Sequence, residues 1–145
     1  MDPFPHRYSV SVAGRAEGDV DLEGPRLPAL RSAPPAEFGG PGDRWSPETL
    51  LVAAVADCFV LTFRAIASAS RLPWVSLTCE GEGTVERPER VTQFTGFVLR
   101  ARLRVPEGVD QEQAHRALER AERTCLVTNS LKAGVRLEAV IEVAR

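Results

Sequence analysis

Ser46-Pro-Glu-Thr-Leu-Leu-Val-Ala-Ala-Val-Ala-Asp-Cys58-Phe59 is the stretch that decides how this chain folds. Ser46 suits the cap of a helix because its side-chain oxygen accepts from a free N–H of the first turn. Pro47 fits the first helical position, where its missing N–H costs nothing. Glu48 then sets a carboxylate against the positive end of the helix dipole. From there Leu51, Ala54, Val55, Cys58, Thr62, Ala65, Ile66 and Ala69 recur at helical spacing. Leu50, Phe59, Leu61 and Phe63 make the other sides nearly as apolar. A helix apolar on most sides is a buried, central one, and Pro73, just after Arg71-Leu72, closes it.

Downstream, residues 74–86 alternate, with Val75, Leu77, Cys79 and Val85 on one face and Ser76, Thr78, Glu80, Glu82 and Glu86 on the other. That period of two predicts a half-buried strand. Residues 87–90 supply a turn. Residues 91–105 form a second long strand, with Phe97, Leu99, Ala101, Leu103 and Val105 inward and Arg100, Arg102 and Arg104 outward. Asp110 caps a helix over 111–124, whose Ala114, Ala117, Leu118 and Ala121 make one apolar stripe leading to Cys125. A turn at 128–130 precedes a last strand in which Val135, Leu137, Ala139, Ile141 and Val143 alternate.

Upstream, residues 8–14 and 16–22 read as a hairpin with Gly14-Arg15 near its turn. Residues 24–43 collect Pro25, Pro28, Pro34, Pro35, Gly39, Gly40, Pro41 and Gly42 and read as one long irregular loop. The order of elements predicts an α+β fold with mostly antiparallel pairing, in a single domain over 1–145.

Composition narrows the function classes. Eighteen Lys+Arg against 20 Asp+Glu, a net charge of −2, leave no basic stripe of the kind nucleic-acid binding needs. The longest uninterrupted apolar run, residues 50–56, falls short of the ~20 residues of a membrane span, and the first residues carry no apolar leader. A soluble, cytoplasmic protein is expected, in a compartment where three cysteines are free or redox-active rather than a disulfide framework. Metal binding is disfavoured, because no Cys-x-x-Cys occurs and the only histidines are His6 and His115.

The chemistry then rests on the thiols. Cys79 alternates with Val75 and Leu77 and reads as a small hydrophobe. His115 reads as an exposed helix residue, and Trp45, Trp74 and Phe38 as packing or the wall of an apolar pocket. Cys58 on a buried helix face is either inert or activated by a nearby cation, since only the thiolate is a strong nucleophile. A guanidinium, which stays charged when buried, is one such cation. Asp57 lies about 100° around the helix from Cys58, so it can face elsewhere.

The stretch 46–59 resembles the central-helix motif of the osmotically inducible protein C and organic hydroperoxide resistance (OsmC/Ohr) family. Ala121-Glu-Arg-Thr-Cys125-Leu-Val-Thr-Asn-Ser130 resembles that family's second-cysteine motif, 67 residues further on, and the Gly-rich approach at 37–42 extends the likeness. Leu126-Val127 departs from the Pro or Ile followed by Ser that many relatives carry. The resemblance implies an OsmC-like fold, antiparallel sheets around a central helix pair in an intertwined homodimer. It also implies a thiol peroxidase that reduces organic hydroperoxides and, less efficiently, hydrogen peroxide. In that reading Cys58 becomes a sulfenic acid, Cys125 condenses with it to a disulfide, and an external dithiol of the dihydrolipoyl type resets the pair without metal or other cofactor. Glu48 and an arginine complete the implied site, with Arg15 in the Gly-Arg turn preferred over Arg26, Arg31 and Arg44. Two other readings stand beside it: a non-catalytic dimer that binds an apolar small molecule, and a redox sensor.

Overall fold

The computed structural model describes residues Met1–Arg145 and resolves into two compact units, Met1–Leu50 and Leu51–Arg145. In the first, β1 (Ser11–Ala13), β2 (Val20–Glu23) and β3 (Leu30–Ser32) form an antiparallel sheet. The expected hairpin is present with shorter arms, and Arg15 lies in its connection. The stretch read as one loop, 24–43, contains β3 and a short 3-10 turn at Ala36–Phe38. Three-residue strands leave almost no period to read, and the surrounding prolines hid this one. Ser32 bridges to Trp45, whose carbonyl accepts from the Ala33 N–H at 2.9 Å.

Helix α1 (Pro47–Ser70) begins as its sequence predicts. Ser46 Oγ accepts from the Thr49 N–H at 3.1 Å, and Thr49 Oγ1 accepts from the Ser46 N–H at 2.9 Å. This reciprocal cap satisfies a donor at each end of the first turn. The helix ends before Pro73: Arg71 turns left-handed at φ 55°, and the Leu72 N–H reaches back to the Ala67 carbonyl at 2.9 Å. That geometry is a Schellman stop, with a non-glycine residue at its left-handed position.

In the second unit, β4 (Ser76–Glu86), β5 (Gln93–Val105) and β6 (Gly134–Val143) form the larger sheet. Between β5 and β6 the chain runs through α2 (Gln111–Thr124) and α3 (Leu126–Asn129). Three of the four strand pairings in the protein are antiparallel, and the fourth, β5 with β6, is parallel. A parallel neighbour needs a long crossover, which the α2–α3 segment supplies. The inward row Phe97, Leu99, Ala101, Leu103 and Val105 is buried throughout and joins Val55, Phe59, Phe63 and Ala67 of α1 and Ala114, Ala117, Leu118 and Ala121 of α2 in one core. Asp110 caps α2 through the Glu112 N–H at 3.0 Å.

Three expectations need correction. Val75 precedes β4 and is 51% exposed, and a register shift at Thr84/Val85 turns Val85 outward. Helix α1 is buried along a single stripe, not on most sides: Leu61 is 49% exposed, and Ala65 and Ala69 are exposed too. At 24 residues α1 also has the length and composition of a membrane span, which a count of uninterrupted apolar residues misses because Asp57 and Arg64 divide the run. Its buried stripe packs in the core.

Glycines let α1 approach the sheet closely. A Cβ at Gly81 would stand 3.1 Å from Val52, and one at Gly83 2.9 Å from Val52 and 2.7 Å from Phe94. On the opposite face Arg100 pairs with Glu82 and Glu138 at 3.1 Å each, and Arg102 with Glu142 at 3.2 Å. Two of the three outward arginines are thus paired with acids of neighbouring strands. Exposed pairs of this kind contribute little to stability.

Candidate active site

Cys58 and Cys125 meet within the second unit. Cys58 projects from α1 one residue before buried Phe59, on the half-buried flank of the helix. Cys125 ends α2 and begins α3, with extended backbone at φ −63° and ψ 117°, and its side chain is fully buried. The sharp change of direction at Cys125 leaves the first N–H groups of α3, those of Leu126 and Val127, without carbonyl partners inside the helix. They are directed at Cys58.

The electrostatics of the two thiols diverge. Burial pushes the Cys58 thiol up, but hydrogen bonds from the Cys125 thiol, the Val127 N–H, the Thr62 hydroxyl and the Leu126 N–H outweigh it. The pKa of Cys58 therefore lies below the ordinary cysteine value. Thr62 Oγ1 is 3.8 Å from the Cys58 sulfur, one helical turn further along α1. Burial pushes Cys125 up, and its hydrogen bond to Cys58 and the charge on Cys58 push the same way, against partial relief from the Thr128 hydroxyl and N–H. The arrangement makes one sulfur the more acidic and its neighbour the less acidic. An anionic sulfur next to a thiol is the starting state for nucleophilic attack followed by disulfide formation.

Within the second unit the groups that lower Cys58 are a thiol, a hydroxyl and two backbone N–H groups. Arg15 is exposed in the β1–β2 connection, Arg26 is exposed in a turn at φ 63°, and Arg31 is exposed on β3. Arg44 pairs with Asp19 at 3.0 Å and Asp43 at 3.4 Å. Glu48 stands in the first turn of α1 and lines an apolar groove of about 540 Å³ in the first unit, with Val12, Val20, Leu22 and Phe38. Trp74 packs edge-on against Phe63, Trp45 is part-exposed, and His115 is exposed on α2. Asp57 faces solvent, and no three His, Cys, Asp or Glu side chains cluster as a metal site.

Thr62 and Thr128 are the site residues that sequence reading passed over. Thr62 is legible afterwards from its i+4 spacing to Cys58. Thr128 is not, because α3 is four residues long and its offset from Cys125 carries no period.

A sequence model of the OsmC-like protein family matches residues 40–140, which include both cysteines. The chain belongs to the OsmC-like family. Among relatives of this OsmC-like chain, an organic hydroperoxide resistance protein of Xanthomonas axonopodis pv. citri is 26% identical over 131 residues, 88% of this chain and 87% of that protein. The uncharacterized protein YmaD of Bacillus subtilis is 27% identical over 107 residues, 72% of this chain and 71% of YmaD. A solved OsmC-like protein of unknown function from Vibrio cholerae superposes with a TM-score of 0.84 at 20% identity, covering 94% of this chain and 100% of that one. The last similarity speaks for the fold, and with it the expected OsmC-like α+β architecture is borne out.

Proposed function

We propose that this OsmC-like protein is a two-cysteine thiol peroxidase that reduces organic hydroperoxides to alcohols, and hydrogen peroxide less efficiently. The observation that carries the reading is the direct interaction of Cys58 with Cys125, with the first thiol made more acidic and the second less. Cys58 attacks the peroxide as a thiolate and becomes a sulfenic acid. Cys125 condenses with it, and an external dithiol of the dihydrolipoyl type reduces the resulting disulfide. Sulfur carries both electrons, so the cycle needs no metal or flavin.

Arg15 and Glu48 enter as the charged residues that the family resemblance assigns, and Arg15→Ala tests the arginine's part. The protein works as a homodimer. The exposed Leu61, Ala65 and Ala69 of α1 support a second copy as the cover of that apolar face, and sedimentation velocity distinguishes monomer from dimer.

The direct test is consumption of cumene hydroperoxide by purified protein with dihydrolipoamide. Turnover by the wild type and its loss in Cys58→Ser are expected. A wild type that consumes no peroxide contradicts the reading.

A further inference from the structure

Thr128 lies in α3, three residues after Cys125, and its Oγ1 is buried without a partner that meets hydrogen-bond geometry. An unpaired buried hydroxyl is costly. Other hydroxyls on or just after these helices avoid that cost by donating to the carbonyl four residues back: Ser70 to Ile66, Thr124 to Arg120 and Ser130 to Leu126, each at 2.8 Å. Thr128 lacks this option. The carbonyl four residues before it belongs to Thr124, on the far side of the bend at Cys125. Its hydroxyl and N–H instead lie on the side of Cys125, the residue that caps the same short helix, without closing a hydrogen bond to its sulfur. A neutral thiol sulfur is a weak acceptor, whereas a thiolate is a strong one. The site is therefore under-satisfied in the resting state and complete only when Cys125 is ionised.

We propose that Thr128 is a positioning residue for the resolving step, holding the Cys125 thiolate that forms after Cys58 is oxidised. The inference rests on the peroxidase reading. In the first step the Cys58 thiolate attacks one peroxide oxygen. The S–O bond forms, the O–O bond breaks, and the electron pair leaves on the alkoxide. Cys58 is oxidised by two electrons and the peroxide is reduced. Cys125 is sealed from water and interacts directly with Cys58, so its proton passes to the alkoxide, giving the alcohol and leaving a thiolate. Thr128 takes up that charge and holds the sulfur toward Cys58. In the second step the Cys125 thiolate attacks the Cys58 sulfur. The S–S bond forms, the S–O bond breaks, and hydroxide departs to take a proton from solvent.

Single-turnover reactions of the reduced, full-length protein with cumene hydroperoxide separate the two steps. Dimedone traps the Cys58 sulfenic acid, and peptide mass spectrometry counts that adduct and the Cys58–Cys125 disulfide over time. Thr128→Val is expected to form sulfenic acid at the wild-type rate but to close the disulfide about tenfold more slowly, so the dimedone adduct accumulates. Thr128→Ser restores closure. Thr128→Ala serves as a second hydroxyl-free variant should Thr128→Val fold poorly. Unchanged disulfide closure in both hydroxyl-free variants overturns the role of Thr128 and leaves the peroxidase reading standing. Equal slowing of both steps, or no rescue by serine, overturns it as well. A wild type that forms no sulfenic acid fails the peroxidase reading itself and this inference with it.

Discussion

The Cys58 and Cys125 thiols interact directly and their acidities diverge: against its own burial Cys58 is lowered by the Cys125 thiol, the Val127 and Leu126 N–H groups and the Thr62 hydroxyl, whereas Cys125 is raised first by burial and then by Cys58. This divergence gives the sulfurs separate tasks. The half-buried one is the more acidic and is open to attack a substrate, and the buried one is the less acidic.

The roles separate under substitution. Cys58→Ser removes the nucleophile and is expected to abolish peroxide consumption. Cys125→Ser retains the nucleophile but loses its partner, so it should oxidise once and accumulate sulfenic acid at Cys58. Peroxide assays paired with dimedone trapping check both outcomes.

Thr62 supplies a donor to the Cys58 thiolate. Thr62→Val is expected to move the pH midpoint of Cys58 alkylation by iodoacetamide upward and to slow peroxide reduction at neutral pH by roughly threefold to tenfold, equivalent to ~0.7–1.4 kcal/mol. Thr62→Ser should restore both. An unshifted alkylation profile in Thr62→Val contradicts the assignment.

Cys79 responds to pH in the opposite sense to Cys58. Burial, helped by the adjacent Glu80 carboxylate, pushes its pKa up to about 11. Unfolding would return it to the ordinary value of ~8.5. Between those values the folded protein holds the proton more tightly than the unfolded chain, so the stabilisation present below ~8.5 is lost as pH rises toward about 11. Urea midpoints measured across that range should fall less steeply in Cys79→Ala than in the wild type.

The helix–sheet contact has little slack. Phe59→Ala removes a fully buried ring from the centre of the core and is expected to cost about 3–5 kcal/mol. Gly83→Ala introduces a methyl 2.7 Å from Phe94 and 2.9 Å from Val52, an overpacking expected to cost about 1–3 kcal/mol. Urea denaturation measures both, and a Gly83→Ala protein as stable as wild type contradicts the packing described.

Long elements with a clear period were legible in the sequence. The start of α1, the inward row of β5 and the stripe of α2 could be read because capping chemistry and periodicity agree over ten or more residues. β3 and α3 were not, since three or four residues hold too little pattern to distinguish from a turn. The parallel pairing of β6 was hidden as well, because alternation marks which face of a strand is buried and says nothing of its direction. Among the site residues, both cysteines stood out through their motifs. The groups that tune them did not: Thr128 and the N–H groups of Leu126 and Val127 act only because the chain bends at Cys125, and that bend is a property of the fold.

The account stands on Cys58 being the oxidised nucleophile and Cys125 its disulfide partner. Peptide mapping of the protein after one equivalent of cumene hydroperoxide, with free thiols capped before digestion, tests that pairing directly. The expected result is a Cys58–Cys125 disulfide with Cys79 recovered as a capped thiol. Recovery of Cys58 as a capped, reduced thiol, or its appearance in a disulfide with Cys79, would contradict it.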